Sequence, residues 1–488
     1  MKLCFVNHNF RYEIEKLLRI FLPFEKLEYF DSAVVSDCSA ITELFDEKAV
    51  STLYLNEKVF KSESLIDKNS KEPEREQELK LALSLYDCFK EASGYIPSWG
   101  ILTGVRPAKL YSRFVSNLGT KGADDYFKDY FKVSEKKLNL CKETFMCEDA
   151  ITSLSSSNSF SLYVSIPFCP TRCSYCSFVS HSVKTAKKLI PTYITKLCEE
   201  LEITAKIVKD LNLRLETIYI GGGTPTSLEA DELQKIMETV NNNFDLSCLR
   251  EYTVEAGRAD TITKEKLLKI KKFGATRISI NPQTMNDNVL EAIGRKHTAA
   301  DTVAAFSLAR ELGFDNINMD LIAGLPTDSE GSFVNTIDEV LKLNPESVTV
   351  HSLSMKRSSE LNVKGILPEI KVGETASFMV DYAHDKLAEN GLLPYYMYRQ
   401  SKTVGNLENV GYAKKGAECL YNVYIMDETH TILACGASAV TKLREPDGDY
   451  ITRIFNFKYP YEYIDRFQEL MDRKGAIREF YDKYGWRN

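Results

Sequence analysis

The pattern of hydrophobic and polar positions changes character along the 488-residue chain. Up to about Asp149, short apolar runs such as Met1–Val6 mix with segments of helical periodicity such as Tyr12–Phe21. This mixture predicts an N-terminal α+β domain over residues 1–150, whose role the pattern does not indicate. The serine-rich run Thr152–Ser161 favours turns and solvation, so it marks the end of that domain.

Beyond the serine-rich run, β-rich segments alternate regularly with helical ones. Six strands are predicted, at Leu162–Ile166, Thr217–Ile220, Glu251–Glu255, Thr276–Ile280, Asn316–Ile322 and Ser347–His351. Five helices are predicted between them, near Ile190–Leu211, Ala230–Asn243, Thr263–Phe273, Thr298–Leu312 and Glu330–Leu343. Such alternation indicates parallel crossover units. We therefore predict an α/β fold, with a partial six-stranded β/α barrel over residues 160–355 and a small C-terminal α+β domain over 356–488 that covers it.

Each predicted strand runs into polar or unusual residues at its carboxyl end. In chain order these are Cys169, the run Gly221–Pro225, Glu255, Asn281 with Gln283, Asp320 with Gly324, and His351 with Ser354. Buried parallel strands are normally almost entirely apolar, so packing alone does not explain this recurrence. Because functional groups in such folds gather at the carboxyl ends of the strands, the pattern predicts one site at that edge.

Composition and charge narrow the class of protein. A hydrophobic content of 44% and a charged content of 27% are typical of a globular protein. The net charge of -7 does not favour nucleic acid as a partner. We find no apolar run long enough to cross a bilayer and no signal-peptide pattern in MKLCFVNHNF. We therefore expect a cytoplasmic protein without a membrane span.

Three of the twelve cysteines cluster tightly, at Cys169, Cys173 and Cys176. The other nine are scattered singly and are interpreted as small buried apolar residues. Thiolates at the clustered spacing bind soft metals or iron–sulfur clusters. A four-iron–four-sulfur cluster with three cysteine ligands leaves one iron open, and S-adenosylmethionine (SAM) can chelate it. Structural zinc with His181 as fourth ligand is the alternative, although zinc ligands usually come as two separated pairs.

The glycine run after the second strand favours the cluster with SAM. Gly221–Gly223 lets a ligand approach the backbone closely, although three glycines can also form a plain tight turn. A phosphate-binding loop is a competing interpretation, but no Gly-Lys-Ser/Thr follows the run. Glu255 can bind an ammonium group or ribose hydroxyls, and Arg295 is a natural partner for a carboxylate.

The cysteine spacing followed by GGGTP resembles the radical SAM superfamily. The stretches YVSIPFC, YIGGGTPTSL, NPQTMNDNVLEAIGRKHT and NMDLIAGLP are similar to the branch that contains oxygen-independent coproporphyrinogen III dehydrogenase and its haem-chaperone relatives. ILTGVRPAKL, RQSKTVGNLENVGYA and the long N-terminal domain resemble the HemZ-type subgroup. This resemblance covers most of the chain. It implies a radical SAM barrel, a [4Fe-4S] cluster and one or two molecules of SAM.

The resemblance also implies roles for individual residues. Cys169, Cys173 and Cys176 are the expected metal ligands. Positions that line the SAM sites are Tyr163, Tyr175, Phe178, Gly222, Gly223, Thr224, Glu255, Gln283, Arg295, Asp320 and Ser354. The carboxylates of a tetrapyrrole need cations around them, for which the candidates are Arg106, Lys356, Arg357 and Arg399. No residue is assigned as a catalytic acid or base.

The implied activity is oxidative decarboxylation of two propionates of coproporphyrinogen III to vinyl groups, which gives protoporphyrinogen IX. It requires an electron donor such as flavodoxin or ferredoxin. A haem-binding chaperone and a radical SAM enzyme acting on another tetrapyrrole are the alternatives.

Three positions depart from the family pattern. Ser165 stands where the family has histidine, and Phe178 stands where the dehydrogenase has a cysteine. Phe178, together with Ser180 and His181, is closer to the chaperones. Tyr421 replaces the histidine of their haem motif and so speaks against that alternative.

Overall fold

The structure, a computed structural model, describes residues 1–22, 25–55, 57–176, 180–354, 370–400 and 403–485. These residues divide into two units. The first comprises Met1–Lys142, the described part of Leu367–Glu374 and the described part of Arg399–Glu408, and the second comprises the other described residues from Glu143 onward. No helix within these ranges is long and apolar enough to cross a membrane.

The first unit contains a five-stranded sheet in the order β2-β1-β3-β4-β5. Its elements are β1 (Lys2–Val6), α1 (Arg11–Phe21), β2 (Glu28–Phe30), β3 (Cys38–Leu44), β4 (Lys48–Leu55), β5 (Lys58–Leu65), α2 (Pro73–Ser93) and α3 (Pro107–Asp125). A further helix, α4 (Glu135–Thr152), begins in this unit and ends in the second. Ile14, Leu17 and Leu18 of α1 share one helical face and lie in one buried cluster with Leu3 and Phe5 of β1.

A buried polar cluster lies inside the first unit. The Lys137 ammonium lies 2.5 Å from the Glu408 carboxylate, which also accepts a hydrogen bond of 2.6 Å from the indole of Trp99. Arg399 stacks over the Trp99 ring and donates to the carbonyl oxygens of Leu102 (2.6 Å) and Asn406 (2.8 Å). Burial lowers the pKa of Arg399 to about 10. These contacts give Arg399, a predicted substrate cation, a structural role within this unit.

The second unit contains an eleven-stranded sheet and a two-stranded ribbon. Its strands are β6 (Ser159–Ile166), β7 (Phe168–Cys169), β8 (His181–Ser182), β9 (Arg214–Gly222), β10 (Glu251–Gly257), β11 (Arg277–Ile280), β12 (Ile317–Ala323), β13 (Ser347–Ser352), β14 (Leu393–Arg399), β15 (Glu408–Ala413), β16 (Thr431–Cys435), β17 (Val440–Arg444) and β18 (Ile451–Phe455). Its helices are α5 (Val183–Ala186), α6 (Ile190–Asp210), α7 (Ala230–Asn243), α8 (Lys264–Lys272), α9 (Asp287–Ala292), α10 (Ala299–Glu311), α11 (Glu330–Leu343), α12 (Ile370–Glu389), α13 (Leu420–Asp427), α14 (Pro460–Asp465) and α15 (Phe467–Tyr484).

The six predicted strands form the parallel centre of the large sheet. They are neighbours in the order β6-β9-β10-β11-β12-β13, and each adjacent pair is parallel. The crossover helices α6, α7, α8, α10 and α11 lie between them in the chain, as the alternation predicts. The partial α/β barrel is therefore confirmed.

Side-chain caps mark where crossover helices begin after the strands. The hydroxyl of Thr298 accepts a hydrogen bond from the amide of Asp301, and the Asp301 carboxylate accepts one from the amide of Thr298, at the start of α10. Thr263 and Ser329 accept from the amides three residues later, at the starts of α8 and α11. These caps satisfy amides that have no partner within the helix, so each helix begins at a defined residue.

The C-terminal residues extend the same sheet at both of its edges. On one side, β15 pairs antiparallel with β13, and β14 lies beyond it. On the other side, β16 pairs parallel with β6, and β17 and β18 follow. These pairings do not test which stretches fold independently, so the predicted three-domain division stays a prediction.

Removing one partner of the buried ion pair in the first unit should strongly destabilise the folded protein. We expect Lys137→Met to lower the free energy of unfolding by about 3–5 kcal/mol, because Glu408 would remain buried without its counter-ion. Chemical denaturation followed by tryptophan fluorescence measures this, since Trp99 contacts the same carboxylate. The control is Lys342→Met, which breaks an exposed pair with Glu339 and should change stability by less than about 1 kcal/mol. Equal effects of the two substitutions would contradict the expectation.

Candidate cofactor site

The cysteine loop (residues 169–176) and the glycine run meet at the carboxyl edge of the parallel strands. β6 and β9 are adjacent and parallel, with Ser165 opposite Gly221 and Ile166 opposite Gly222. Just past this ladder, the amide of Gly223 donates to the carbonyl oxygen of Ile166 at 2.8 Å. The amide of Thr224 donates to the carbonyl oxygen of Phe168, also at 2.8 Å. The run is therefore held alongside the residues that lead into Cys169.

The glycines are required by the closeness of this approach. A Cβ on Gly223 would lie 3.0 Å from the Cys169 sulfur and 2.6 Å from the carbonyl oxygen of Phe168. Gly222 has a φ of +111°, in the region that side chains disfavour. Its Cβ would also lie 3.1 Å from the hydroxyl oxygen of Ser165. The glycine run thus packs against Cys169, and its lack of side chains also lets a ligand approach its own backbone.

The cysteine loop is ordered by short-range contacts. The amide of Cys176 donates to the carbonyl oxygen of Cys173 at 3.1 Å, which closes a turn between two of the three cysteines. The Thr224 hydroxyl donates to the Cys169 sulfur at 3.5 Å. Burial raises the pKa of the Cys169 thiol, so a bound metal is needed to keep it ionised at neutral pH. Cys173 is buried, and the other two cysteines are partly exposed.

A zinc ion and a cluster require different arrangements of these cysteines. The ligands of a zinc ion converge on a single ion, whereas each cysteine of a cubane binds a different iron. The imidazole of His181, the fourth ligand of the zinc alternative, instead lies edge-on to the rings of Tyr459 and Tyr461, with centroids 6.2 Å away.

Arg295 joins the cysteine loop to the fourth parallel strand. Its guanidinium donates to the hydroxyl of Tyr175 at 3.2 Å and to the carbonyl oxygen of Asn281 at 2.5 Å. Its Nε has no partner among the described residues although the side chain is buried, so a donor remains for a ligand carboxylate. Its positive charge lies close to Cys173.

Arg258 is a further loop contact that the sequence did not single out. It follows β10 directly, is buried, donates to the hydroxyl of Thr171 at 2.7 Å and forms an ion pair with Asp260 at 2.7 Å. Thr171 lies two residues after Cys169. Its position three residues after the predicted strand Glu251–Glu255 was a signal that could have indicated Arg258.

Glu255 lies at the same edge among aromatic side chains. The Tyr219 hydroxyl donates to its carboxylate, and burial raises the pKa of Glu255 to about 7. The rings of Tyr163 and Tyr219 stack at 6.2 Å, and those of Tyr219 and Tyr421 stack at 4.6 Å. The structure thus brings the predicted residues Tyr163 and Glu255 together. Sequence reasoning missed Tyr219, although its position two residues before the glycine run placed it on the same face as Gly221.

Gln283 and Asp320 are connected through the backbone. The amide of Gln283 donates to the carbonyl oxygen of Asp320 at 2.9 Å, and the amide of Ile322 donates to the carbonyl oxygen of Gln283 at 3.0 Å. Gln283 has a φ of +72°, which turns the chain back toward β12 after β11 has ended. The side-chain amide of Asn318 donates to the Asp320 carboxylate at 2.7 Å. Ser354 is partly buried two residues beyond β13.

Five predicted residues lie outside the described residues or outside the second unit. Phe178, Lys356 and Arg357 lie outside the described residues. Arg106 and Arg399 belong to the first unit, where Arg106 directly precedes α3. The assignment of substrate cations therefore stays a prediction.

A side chain at Gly223 should prevent the cysteine loop from closing. We expect Gly223→Ala to lose most of the iron and labile sulfide bound per chain, because the new methyl group would displace Cys169. Iron and sulfide analysis of anaerobically reconstituted protein, with its visible absorbance, measures this. Gly331→Ala is the control, since a Cβ there meets no atom within 4 Å, and it should keep its cluster. A full cluster in the Gly223 variant would refute the packing argument.

Glu255 should make the cofactor-free protein less stable as the pH rises. Its pKa rises from an ordinary 4.5 to about 7 on folding, so the folded chain keeps a proton that the unfolded chain has released. The stabilisation is fully present below pH 4.5 and is lost by about pH 7, a change of roughly 3 kcal/mol. Urea denaturation at pH 5 and pH 7.5 should show this loss relative to Glu255→Gln, which does not titrate. A constant difference between the two proteins would show that Glu255 is ionised throughout.

Comparisons with known proteins agree with this geometry. Residues 163–340 match the model of the radical SAM superfamily. The oxygen-independent coproporphyrinogen-III oxidase-like protein HemZ of Bacillus subtilis (strain 168) is 39% identical over 386 residues, which cover 78% of this chain and 77% of HemZ. The heme chaperone HemW of the same strain is 32% identical over 347 residues, which cover 67% of this chain and 87% of HemW.

Among solved structures, the radical SAM enzyme coproporphyrinogen III oxidase (HemN) from Escherichia coli is similar in fold. Its TM-score is 0.51 at 21% identity, over 67% of this chain and 73% of HemN. This likeness supports the barrel. Members of the superfamily use a [4Fe-4S] cluster and SAM, and the three-cysteine loop, the glycine run and Arg295 are a donor set that fits both. The chain belongs to the radical SAM superfamily, in the branch of oxygen-independent coproporphyrinogen III dehydrogenase and its HemZ-type subgroup.

Proposed function

We propose that the chain is a radical SAM oxidoreductase that converts two propionates of coproporphyrinogen III to vinyl groups, giving protoporphyrinogen IX. The observation that carries this proposal is the meeting of the cysteine loop, the glycine run and Glu255 at one edge of one sheet. The similarity to a relative named as oxidase-like supports the choice of substrate. The electron donor would be a flavodoxin or a ferredoxin, and the expected compartment is the cytoplasm.

When bound, the cluster and SAM supply a carbon radical that can take a hydrogen atom from a propionate side chain. The residues of this chain prepare the site. Gly223 and Thr224 seat the Cys169 sulfur, and Arg295 presents a free Nε to a carboxylate while holding Tyr175. Glu255 can accept hydrogen bonds from ribose hydroxyls or an ammonium group when ionised, and the Tyr219 hydroxyl fixes its orientation.

The haem-chaperone alternative rests on the similarity to HemW. Tyr421, which replaces the histidine of the chaperone motif, has its ring stacked on Tyr219. His430 lies three residues beyond the end of α13, but its ring nitrogens are 2.7 Å from the hydroxyl of Ser155 and 2.8 Å from that of Ser161. An imidazole held at both nitrogens has none left to bind iron, so His430 does not replace the missing ligand. These contacts support the enzyme over the chaperone.

An anaerobic product assay tests the proposal. With SAM, a reductant and coproporphyrinogen III, we expect 5′-deoxyadenosine, carbon dioxide and vinyl products that chromatography and mass spectrometry can identify. Cys173→Ala should abolish all three, because it removes a cluster ligand. Cys248→Ala should not, because that thiol is exposed and lies outside the site.

Two other results would each favour one of the two alternative functions. Stoichiometric haem binding without deoxyadenosine or vinyl products would favour the chaperone. Formation of 5′-deoxyadenosine only with a different tetrapyrrole would support a radical SAM enzyme that acts on that tetrapyrrole instead of coproporphyrinogen III.

A further inference from the structure

A stretch of the chain around the cysteine loop contains no acidic residue. Residues 150–198 hold no aspartate or glutamate, although the whole chain has 69 acidic residues and a net charge of -7. The same stretch carries five basic residues, Arg172, Lys184, Lys187, Lys188 and Lys196. An acidic protein with a local excess of positive charge presents a field that attracts an acidic partner to that place.

Three of these lysines lie next to the cysteine loop on exposed positions. β8 pairs with β7 so that Ser182 lies opposite Cys169, and Lys184 follows two residues later in α5. Lys187 and Lys188 lie in the turn after α5. All three side chains are exposed, and none forms an ion pair or side-chain hydrogen bond with another described residue. Their charges are therefore available to a partner.

Two other chain segments add lysines beside the same loop. The amide of Ser174 donates to the carbonyl oxygen of Ile293, and the exposed Lys296 lies three residues after Ile293. The exposed Lys458 precedes Tyr459, whose ring lies against His181 of β8. Lysines from three parts of the second unit thus lie on segments that contact the cysteine loop or the strand β8 beside it. We call Lys184, Lys187, Lys188, Lys296 and Lys458 the basic rim.

The two helices that flank these lysines carry four acidic residues, Asp287 and Glu291 on α9 and Glu462 and Asp465 on α14. The five lysines of the rim exceed them by one, and three of the five, Lys184, Lys187 and Lys188, lie in the stretch that contains no acidic residue. The exposed ring of Tyr461 stacks on Tyr459 at 5.4 Å and adds an aromatic surface of the kind enriched in protein interfaces.

We propose that the basic rim is the docking surface for an acidic one-electron carrier protein. The inference rests on the proposed function, because an electron must reach the cysteine loop from outside the chain. Complementary charge steers association and raises its rate by about 10- to 1,000-fold at low salt, and the effect falls as salt screens it. Placing the rim around the loop brings a docked carrier to the point where the electron is needed.

A charge-reversal experiment on the whole chain tests this proposal. The variant replaces three rim lysines, as Lys184→Glu, Lys187→Glu and Lys188→Glu. The control changes three exposed lysines elsewhere in the second unit by the same total charge, as Lys206→Glu, Lys209→Glu and Lys264→Glu. Binding of an oxidised acidic flavodoxin, and separately of an acidic ferredoxin, is measured by calorimetry at low and high salt. SAM cleavage is then measured with each reduced carrier and with reduced methyl viologen, a small reductant that needs no docking.

The rim variant should bind at least one carrier at least 10-fold more weakly than wild type at low salt. Its carrier-driven SAM cleavage should fall by a similar factor, while its viologen-driven rate stays at the wild-type level. The control should match wild type in all three measurements. Equal carrier affinity in the rim variant and the control would falsify the assignment, as would binding of a short RNA but of neither carrier. A third outcome separates the two proposals. If carrier binding depends on the rim but wild-type protein does not cleave SAM with reduced methyl viologen, the docking surface is supported and the proposed function is contradicted.

Discussion

Two backbone hydrogen bonds at the carboxyl edge of β6 and β9 are the constraint on which the site depends. They hold Gly223 and Thr224 against the carbonyl oxygens of Ile166 and Phe168, so the glycine run and the cysteine loop share one surface. Such contact leaves no space for a side chain at Gly223. Because the two strands are adjacent and parallel, one sheet register fixes the positions of both loops. A one-residue change of this register would turn the inward-facing side chains to the other face of the sheet.

The same edge gathers charges that a protein interior normally avoids. Burial alone would neutralise Glu255, and the Tyr219 hydroxyl that donates to it partly offsets this by favouring the carboxylate. Arg295 keeps its charge because Tyr175 and the carbonyl oxygen of Asn281 accept its hydrogen bonds. Arg258 is buried with Asp260 as its counter-ion. Each buried charge has a partner of the kind that makes burial tolerable.

The sequence predicted the parts of the fold that depend on local pattern. The alternation of strand and helix located the six central strands, since buried parallel strands are short apolar runs and crossover helices have their own period. It did not predict that β16 pairs with β6, because strand pairing over such a distance leaves no local signal. Arg399 is predicted as a substrate cation, and backbone carbonyl oxygens accept its hydrogen bonds. These contacts leave its role toward a substrate a prediction, because charge alone does not distinguish a side chain that binds a ligand from one that holds a loop.

The stretch without acidic residues, 150–198, contains both the three cysteines and a group of exposed lysines. A carboxylate beside the cysteine loop would raise the pKa of the thiols, which burial already does at Cys169, and so would oppose ionisation of the ligands. Residues 150–198 contain no carboxylate, so Glu255 and Asp260, the carboxylates at this edge, come from other segments, where Tyr219 and Arg258 contact them. The positive charge of Arg295, which follows α9, lies close to Cys173. The same absence leaves the exposed lysines of the stretch without nearby counter-ions in their own segment. The exposed lysines and the three cysteines therefore belong to one acid-free stretch, and this juxtaposition is what the proposed docking surface rests on.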